Sequence, residues 1–444
     1  MNIHANRRNS VLFVILIILL LMPSGVRAQW LYNFTTFNSE KGFAQKNVMK
    51  IIQDRSGQMW FATWDGLYRY DGFQFYNYKA RPGDGIRLES NRLEDICDDK
   101  NGIWMRGYNG KISLFNKMLL TIDNLPLEHY SALDMHSLIS GGVWIKTDNN
   151  RLILASFDCL TGKIRTRVFF KSHQFIIHRV DQDPSGKIWI LTSNGIRCLY
   201  QDRMRLVDGG FDAFNIIKQK NYYIFCGTNG RILVLKGGKL HLVKLPTPAT
   251  LTSGVRLKNG NILVSTNGDG LFVVSKDFAV IKHFTTSNSA LNSDRILDLK
   301  CDAHHDVWFC TGKPGVMRYS STDNDLMSFR MKGEFSVDPD MWKNNVKIVE
   351  DRKGNTWISP SGNGLAWFDR KHDRMVPFFD QNMQKEWAAE NNVVDMFVDK
   401  QDNLWFCGKY TGLQKATSIQ QRFHTLGVKC SLESGRDVRG IFQD

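Results

Sequence analysis

The side chains that recur at fixed places in this chain, and so are the first to be weighed for chemistry, are acidic. Asp54, Asp183, Asp351 and Asp399 each open a short turn at the same point of a repeated phrase. Carboxylates in series are the material of general acid–base work or of a calcium site. Their fixed place ahead of a turn points elsewhere. An Asp side chain bonds backbone amides two residues on, and the Gly that follows in most copies supplies the positive φ of a tight turn. His304-His305-Asp306 is a dense histidine cluster, but it occupies the position that another copy fills with Arg-Lys-Gly-Asn. It therefore reads as an exposed turn and not as a metal site. His173 and His178 flank a strand-like run without a matching Cys or carboxylate pattern. No Ser-centred nucleophile elbow, phosphate-cradling Gly loop or zinc-peptidase signature is present. The expectation is a chain without catalytic residues, metal or cofactor.

Binding is the better-supported chemistry. Four residues after the anchor of each repeat, just before a hairpin turn, most copies carry Asp, Ser, Asn or Gly, whereas the first two carry Trp64 and Tyr108. Tyr410 lies one position further on in the last copy. Aromatic rings on loops stack on the apolar faces of sugars, and Arg69 and Arg92 are placed to bond sugar hydroxyls. The competing role for the aromatics is packing against neighbouring repeats or a partner domain, and for Arg69 a position at a strand edge.

The elements that hold these residues come from the repeat itself. Its fullest copy runs Gln53-Asp54-Arg55-Ser56-Gly57-Gln58-Met59-Trp60-Phe61-Ala62-Thr63-Trp64-Asp65-Gly66-Leu67. The anchor position runs Trp60, Trp104, Trp144, Trp189, Phe225, Val264, Trp308, Trp357, Trp405. Successive anchors lie about 36 to 49 residues apart, the period of a four-stranded propeller blade. Within a unit, Val48 to Ile52 makes an apolar first strand and Met59 to Thr63 a second strand buried on both faces. Leu67 to Tyr70 is the third, and Phe73 to Tyr78 alternates as a half-exposed fourth. Trp30 to Phe37 also alternates, and reads as a strand completing a blade whose other strands come from elsewhere. After nine anchors, Arg436 to Asp444 matches Asn47 to Asp54 and begins a tenth unit. Rings commonly hold four to eight blades. The expected fold is therefore an all-β β-propeller, with one complete ring of about seven four-stranded blades over 29–335. The first blades of a second, incomplete ring follow over 336–444.

The N-terminus reads as a signal peptide over 1–28. Arg7-Arg8 is a positive n-region, Val11 to Met22 is unbroken apolar, and Val26-Arg27-Ala28 offers a cleavage site. Export follows, and with it a periplasmic location. The formal charge of +14 falls by the three arginines of that segment to +11. Export and the scatter of Lys and Arg through turns argue against nucleic acid as a partner. Of eight cysteines, Cys226, Cys310 and Cys407 recur in the same strand of different units, a packing role, so mostly free, buried thiols are expected.

The pattern Val-x-x-Ile-x-x-Asp-x-x-Gly-x-x-Trp-x-x-Thr-x-x-Gly-Leu-x-Arg-Tyr is met almost in full from Val48 to Tyr70. It resembles the two-component regulator propeller repeat, and the chain is similar to the periplasmic sensor half of the hybrid two-component systems of Bacteroides and relatives. The resemblance implies two seven-bladed propellers and a β-sandwich with three tyrosines. A transmembrane helix, histidine kinase, receiver and helix-turn-helix domain would follow. It also implies sensing of glycan-derived oligosaccharides to control polysaccharide-utilisation genes, in a homodimeric receptor anchored in the inner membrane. The expected partners are an oligosaccharide and the rest of the sensor ectodomain. This sequence stops within the expected second ring, before the kinase and DNA-binding parts, so by this reading it is a fragment or a truncated product and not itself an enzyme. The alternatives are a secreted glycan-binding propeller, a glycan lyase or hydrolase, and an adhesive propeller that binds another protein.

Overall fold

The computed structural model describes residues 32–81, 88–127, 130–170, 175–219, 221–311, 313, 315–329, 346–359, 364–377, 393–408 and 412–418. Residues 34–416 form one compact unit, the propeller. Residues 1–33 and 417–444 form another, of which only 32, 33, 417 and 418 are described. Blade 1 shows how the phrase folds. Val48–Gln53, Met59–Thr63, Gly66–Tyr70 and Phe75–Tyr78 pair in that order as an antiparallel sheet. All five residues of Met59–Thr63 are buried, because the second strand is covered by sheets on both sides. Gly66 has φ +97°, and a Cβ there would collide with the Tyr78 carbonyl oxygen, so Asp65-Gly66 is a turn that only glycine can close.

Among the described residues this arrangement occurs nine times. Blades 2 to 8 are continuous in sequence, beginning at Leu93, Ala132, Ile177, Ala213, Leu251, Lys300 and Lys347. Blade 9 takes Val393–Val398, Leu404–Gly408 and Gly412–Ser418 from the end of the chain and Tyr32–Phe37 from its beginning. The N-terminal strand thus completes a blade begun elsewhere, as its alternation led us to expect.

The expectation of about seven blades and the start of a second ring is incorrect: nine blades form one ring. Blade 9 closes directly on blade 1. Ile51 N donates to Asp395 Oδ2 at 2.9 Å, and Lys400 N donates to Gln53 Oε1 at 2.7 Å. Trp405 packs on Phe61 of blade 1, and Phe37 stacks on Trp405 with centroids 5.5 Å apart. The expected boundary at residue 335 falls outside the described residues, and the blades on either side of it pack together through Trp308, Ile358 and Phe368. The number of blades follows from the wedge angle between neighbouring sheets. Residues 1–28 and 436–444 lie outside the described residues.

Six of the nine anchors are held by their own first turn. The indole N–H of Trp60 donates to Asp54 at 2.9 Å, Trp104 to Asp99 at 3.0 Å and Trp189 to Asp183 at 3.3 Å. Trp308 donates to Asp302 at 2.8 Å, Trp357 to Asp351 at 3.4 Å and Trp405 to Asp399 at 2.7 Å. The other carboxylate oxygen accepts a backbone N–H of the turn, as from Gln58, Lys187 and Asn403. Several of these carboxylates also reach the next blade. Asp54 pairs with Lys117 at 3.0 Å, Asp99 accepts Gly142 N at 2.8 Å, and Asp183 accepts Tyr223 Oη at 2.6 Å. Burial works against the Asp54 charge, but hydrogen bonds from Ser56, Trp60 and Lys117 outweigh it and hold the carboxyl below its ordinary range. The acidic repeat is therefore structural.

The seven described cysteines are all free. Cys226 and Cys407 are buried, Cys310 is half-buried, and Cys159 and Cys301 are exposed. Burial pushes the Cys226 thiol up to about 12.

Replacing Asp399 by Ala strands the Trp405 indole and the Asn403 amide, both buried. Asp399→Ala is expected to lower unfolding stability by about 2–4 kcal/mol, with Asp399→Asn falling between it and wild type, measured by urea denaturation. An unchanged midpoint would show that the carboxylate does not hold the anchor.

Candidate functional site

Two places gather polar and aromatic side chains on elements that the repeat positions. The first lies between blades 1 and 2. Trp64 follows the second strand of blade 1, Tyr108 follows that of blade 2, and Arg92 precedes the first strand of blade 2. Antiparallel pairing sets the start of a first strand beside the end of the second, and Tyr108 N donates to Arg92 O at 2.8 Å. The Arg92 guanidinium lies 3.8 Å from the ring centroid of Trp64 and 3.8 Å from that of Tyr108. Three of the five residues singled out from the sequence are thus brought together, as a mutual stack in which the cation covers one face of each ring. Trp64 and Arg92 are half-buried, whereas Tyr108 is 59% exposed and keeps its outer face open. The Trp64 indole nitrogen and Arg92 Nε have no hydrogen-bond partner among the described residues. Arg69 is not part of this group: it stands on the third strand of blade 1, over the Tyr76 ring at 4.3 Å. Tyr410 and His173 lie outside the described residues.

The second place is an axial cavity of about 1000 Å³, walled by blades 3 to 6 and by Leu297 and Asp298 in the segment that leads into blade 7. A repeated backbone irregularity builds it. In blades 1 to 6 and 9 the pairing of the first strand slips after its first residue, as between Ala132 and Asp134 or between Ile177 and Arg179. A bulge of this kind re-aims side chains, so that successive residues, His178 and Arg179, both line the cavity. Asp134, His136, Lys146, Asp181, Phe214 and Thr252 line it with them.

These groups are paired at the wall. His136 Nε2 lies 3.2 Å from Asp134 Oδ1, and its ring packs on Trp144. His178 Nε2 lies 3.0 Å from Asp212 Oδ1 and its ring stacks on Phe214 at 4.2 Å. Asp181 pairs with Lys218 at 2.7 Å and with Arg179 at 3.7 Å. The hydrogen bond to Asp134 raises the pKa of His136, an exposed side chain, above its ordinary value against some desolvation by its neighbours. Burial lowers that of His178 against the pull of Asp212, and burial lowers that of Lys146 as well. The arrangement offers donors, acceptors and apolar ring edges around one volume, which is the chemistry of a polar-ligand pocket.

Sequence reasoning missed this cavity. The available signal was a polar residue two places after the first apolar residue of successive first strands: Lys50, Asp95, Asp134, Arg179, Asp395. His304 and His305 are exposed turn residues as expected. Asp306 beside them is instead buried and bonded by Arg318 Nε at 2.9 Å. Among the described residues no group of three or more His, Cys, Asp or Glu could hold a metal ion.

A stretch of 55 residues, 12% of the chain, is 38% identical to histidine kinase P4 of Formosa agariphila and spans 4% of that protein's length. No family model matches the chain. The extracellular domain of a hybrid two-component system from B. thetaiotaomicron is similar over 86% of this chain and 58% of that one, at 15% identity and a TM-score of 0.36. A virginiamycin B lyase from Staphylococcus aureus is similar over 87% of this chain and 100% of its own, at 12% identity and a TM-score of 0.40. Sqt1 of Saccharomyces cerevisiae matches over 73% of this chain and 95% of its own, at 11% identity and a TM-score of 0.51, a likeness of fold alone.

The two cavity histidines contribute to stability with opposite signs. The raised His136 adds stability that is fully present below the unfolded-state value near 6.5 and is lost as pH rises through its folded pKa. The lowered His178 adds stability that is present above that value and is lost as pH falls through its own. In an NMR titration His136 is expected to titrate above His178, and Asp134→Asn to move the His136 midpoint down and leave His178 in place. Coincident midpoints would contradict the pairing.

Proposed function

We propose that this propeller is the extracytoplasmic ligand-sensing module of a two-component sensor, exported on residues 1–28 and working in the periplasm. Its ligand is a glycan-derived oligosaccharide, and its readout is control of polysaccharide-utilisation genes through kinase and DNA-binding parts of a dimeric receptor anchored in the inner membrane. The observation that carries the reading is the axial cavity. At about 1000 Å³ it has room for a short oligosaccharide. Arg179, Asp181, Asp134 and Thr252 on its wall match the alternating donors and acceptors of sugar hydroxyls. The open face of Tyr108, backed by Arg92 and Trp64, offers a second contact for a sugar ring. The repeat pattern of Val48 to Tyr70 and the short match to a histidine kinase support the receptor context.

Calorimetric titration with a panel of neutral, uronic-acid and sulfated oligosaccharides tests it. One member of the panel is expected to bind, with Arg179→Ala weakening it about tenfold or more, the scale of a lost charged hydrogen bond. Tyr108→Ala is expected to weaken it less. Binding that survives Arg179→Ala but is lost in Tyr108→Ala would move the site to the blade 1–2 stack. No binding across the panel would contradict the glycan reading.

A further inference from the structure

The hairpins that join third and fourth strands lie on the same face as the Asp turns, each against the first turn of the preceding blade. Lys117 of blade 2 meets Asp54 of blade 1, and Cys159 of blade 3 meets Asn101 of blade 2. In blades 4, 5, 7 and 8 the tips of these hairpins are polar or glycine: Gln201-Asp202, Gly237-Gly238, Asp323-Asn324 and Lys371-His372. In three consecutive blades they are apolar and fully presented. Phe73 is 95% exposed in blade 1, Met118 89% in blade 2 with Leu119 and Leu120 beside it, and Leu160 96% in blade 3. Turn geometry does not require an exposed apolar residue here: blades 4, 5, 7 and 8 close the same hairpin without one, and the Phe278 of the blade 6 hairpin packs back onto the core. Scattered exposed apolar residues need no account, but a run of them along one arc of one face does.

Two further features narrow what covers them. First, the backbone amides at these tips are already satisfied inside each hairpin by a side chain at the same position. Phe73 N donates to Asp71 Oδ1 at 2.9 Å, Met118 N and Leu119 N donate to Asn116 Oδ1 at 3.0 and 3.1 Å, and Leu160 N donates to Asp158 Oδ1 at 3.1 Å. Such a tip can enter a medium that offers no hydrogen bonds without stranding its N–H groups. Second, exposed cations flank the tips on the same face: Arg55 and Lys100 on the first turns of blades 1 and 2, and Lys163 just after Leu160. Asp158 is balanced by Arg165, and Asp98 by Lys117 at 2.5 Å. Separate protruding tips on basic necks are poor material for a flat protein interface, which needs continuous complementary area. They suit a fluid anionic surface, into which each tip sinks independently while the cations meet headgroups.

We propose that this face docks on a lipid bilayer, with Phe73, Met118, Leu119 and Leu160 inserted at the headgroup boundary and Arg55, Lys100 and Lys163 on anionic lipid phosphates. The site is distinct from the axial cavity and does not depend on what the cavity binds.

The test is co-sedimentation of the full chain with vesicles of phosphatidylethanolamine and phosphatidylglycerol, compared with phosphatidylcholine alone. The variant Phe73→Ser/Leu119→Ser/Leu160→Ser is studied in the same full chain, so that any contribution of its N-terminal residues is common to both. Because all three side chains are exposed, the variant is expected to keep the wild-type circular dichroism and melting temperature. Wild type is expected to bind the phosphatidylglycerol vesicles, and the triple variant at least about tenfold less, from loss of three apolar anchors. A second variant, Arg55→Glu/Lys100→Glu/Lys163→Glu, is expected to lose the preference for phosphatidylglycerol over phosphatidylcholine. Equal vesicle binding by wild type and triple variant, or no binding by either, would overturn the proposal. A triple variant that instead changes a monomer–dimer equilibrium in size-exclusion chromatography, with vesicle binding unaltered, would assign the face to a second copy of the chain and overturn it equally.

Discussion

The hydrogen bond from an anchor indole to the carboxylate of its own first turn is the constraint on which the rest of this molecule depends. A Trp between two sheets supplies the largest apolar area a single residue can bury, but its N–H must be satisfied there or the burial is costly. The Asp meets that need, and with its second oxygen it closes the turn between first and second strands. One residue thus sets both the hairpin geometry and the depth of the ring that wedges the next sheet away. Where the anchor or the Asp is lost, a neighbour takes part of the role. Gly142, in a first turn without Asp, bonds to Asp99 of the preceding blade, and Tyr223, in a blade anchored by Phe225, bonds to Asp183. The blades are coupled through these carboxylates as well as through apolar contact.

Closure is the second consequence. A ring of nine has a smaller rotation per blade than a ring of seven, and its inner strands stand further from the axis. The inner wall must then either leave an opening or carry polar side chains long enough to occupy it. The slipped first strands set polar side chains on that wall, and those of blades 3 to 6 border the opening that remains as the cavity. The functional reading of the cavity rests on this geometry: charged and polar groups face the axis because a wide ring cannot pack it with apolar ones.

Much of this was legible from residues. The repeat, its turn aspartates, the free cysteines Cys226 and Cys407 and the strand from the N-terminus that completes a blade are all local or periodic patterns, and each was found where it was expected. The nine units were counted from their anchors, but that all nine close into one ring was not legible, because the wedge angle depends on the packing of nine interfaces and no local pattern reports it. The preference for familiar ring sizes then misdirected the domain reading. The indole–carboxylate bond was within reach, as the Asp-to-Trp spacing of Asp54 and Trp60 recurs at Asp183, Asp302, Asp351 and Asp399, but turn formation alone is enough to account for an Asp at that place. Of the candidate binding residues, Trp64, Arg92 and Tyr108 turn out to be neighbours in space, which their spacing in the sequence did not show. Nor did that spacing reveal that Arg92 would lie between the two rings. The slipped strands left one periodic trace, the polar residue two places after the first apolar one, but the same pattern is ordinary on a half-exposed strand, so the cavity residues stayed hidden.

The most direct test of the account is a cross-link across the closure. In the nine-bladed ring Gln53 of blade 1 lies against Lys400 and Gln401 of blade 9, with Gln53 Nε2 3.3 Å from Gln401 Oε1. His304 of blade 7 faces Gly354 of blade 8. Two double variants, Gln53→Cys/Gln401→Cys and Gln53→Cys/His304→Cys, would be oxidised and their linked peptides identified by mass spectrometry. The account requires an intramolecular 53–401 link, independent of protein concentration, and no 53–304 link. A 53–304 link in place of the 53–401 link would mean that the ring closes after seven blades, and would contradict it.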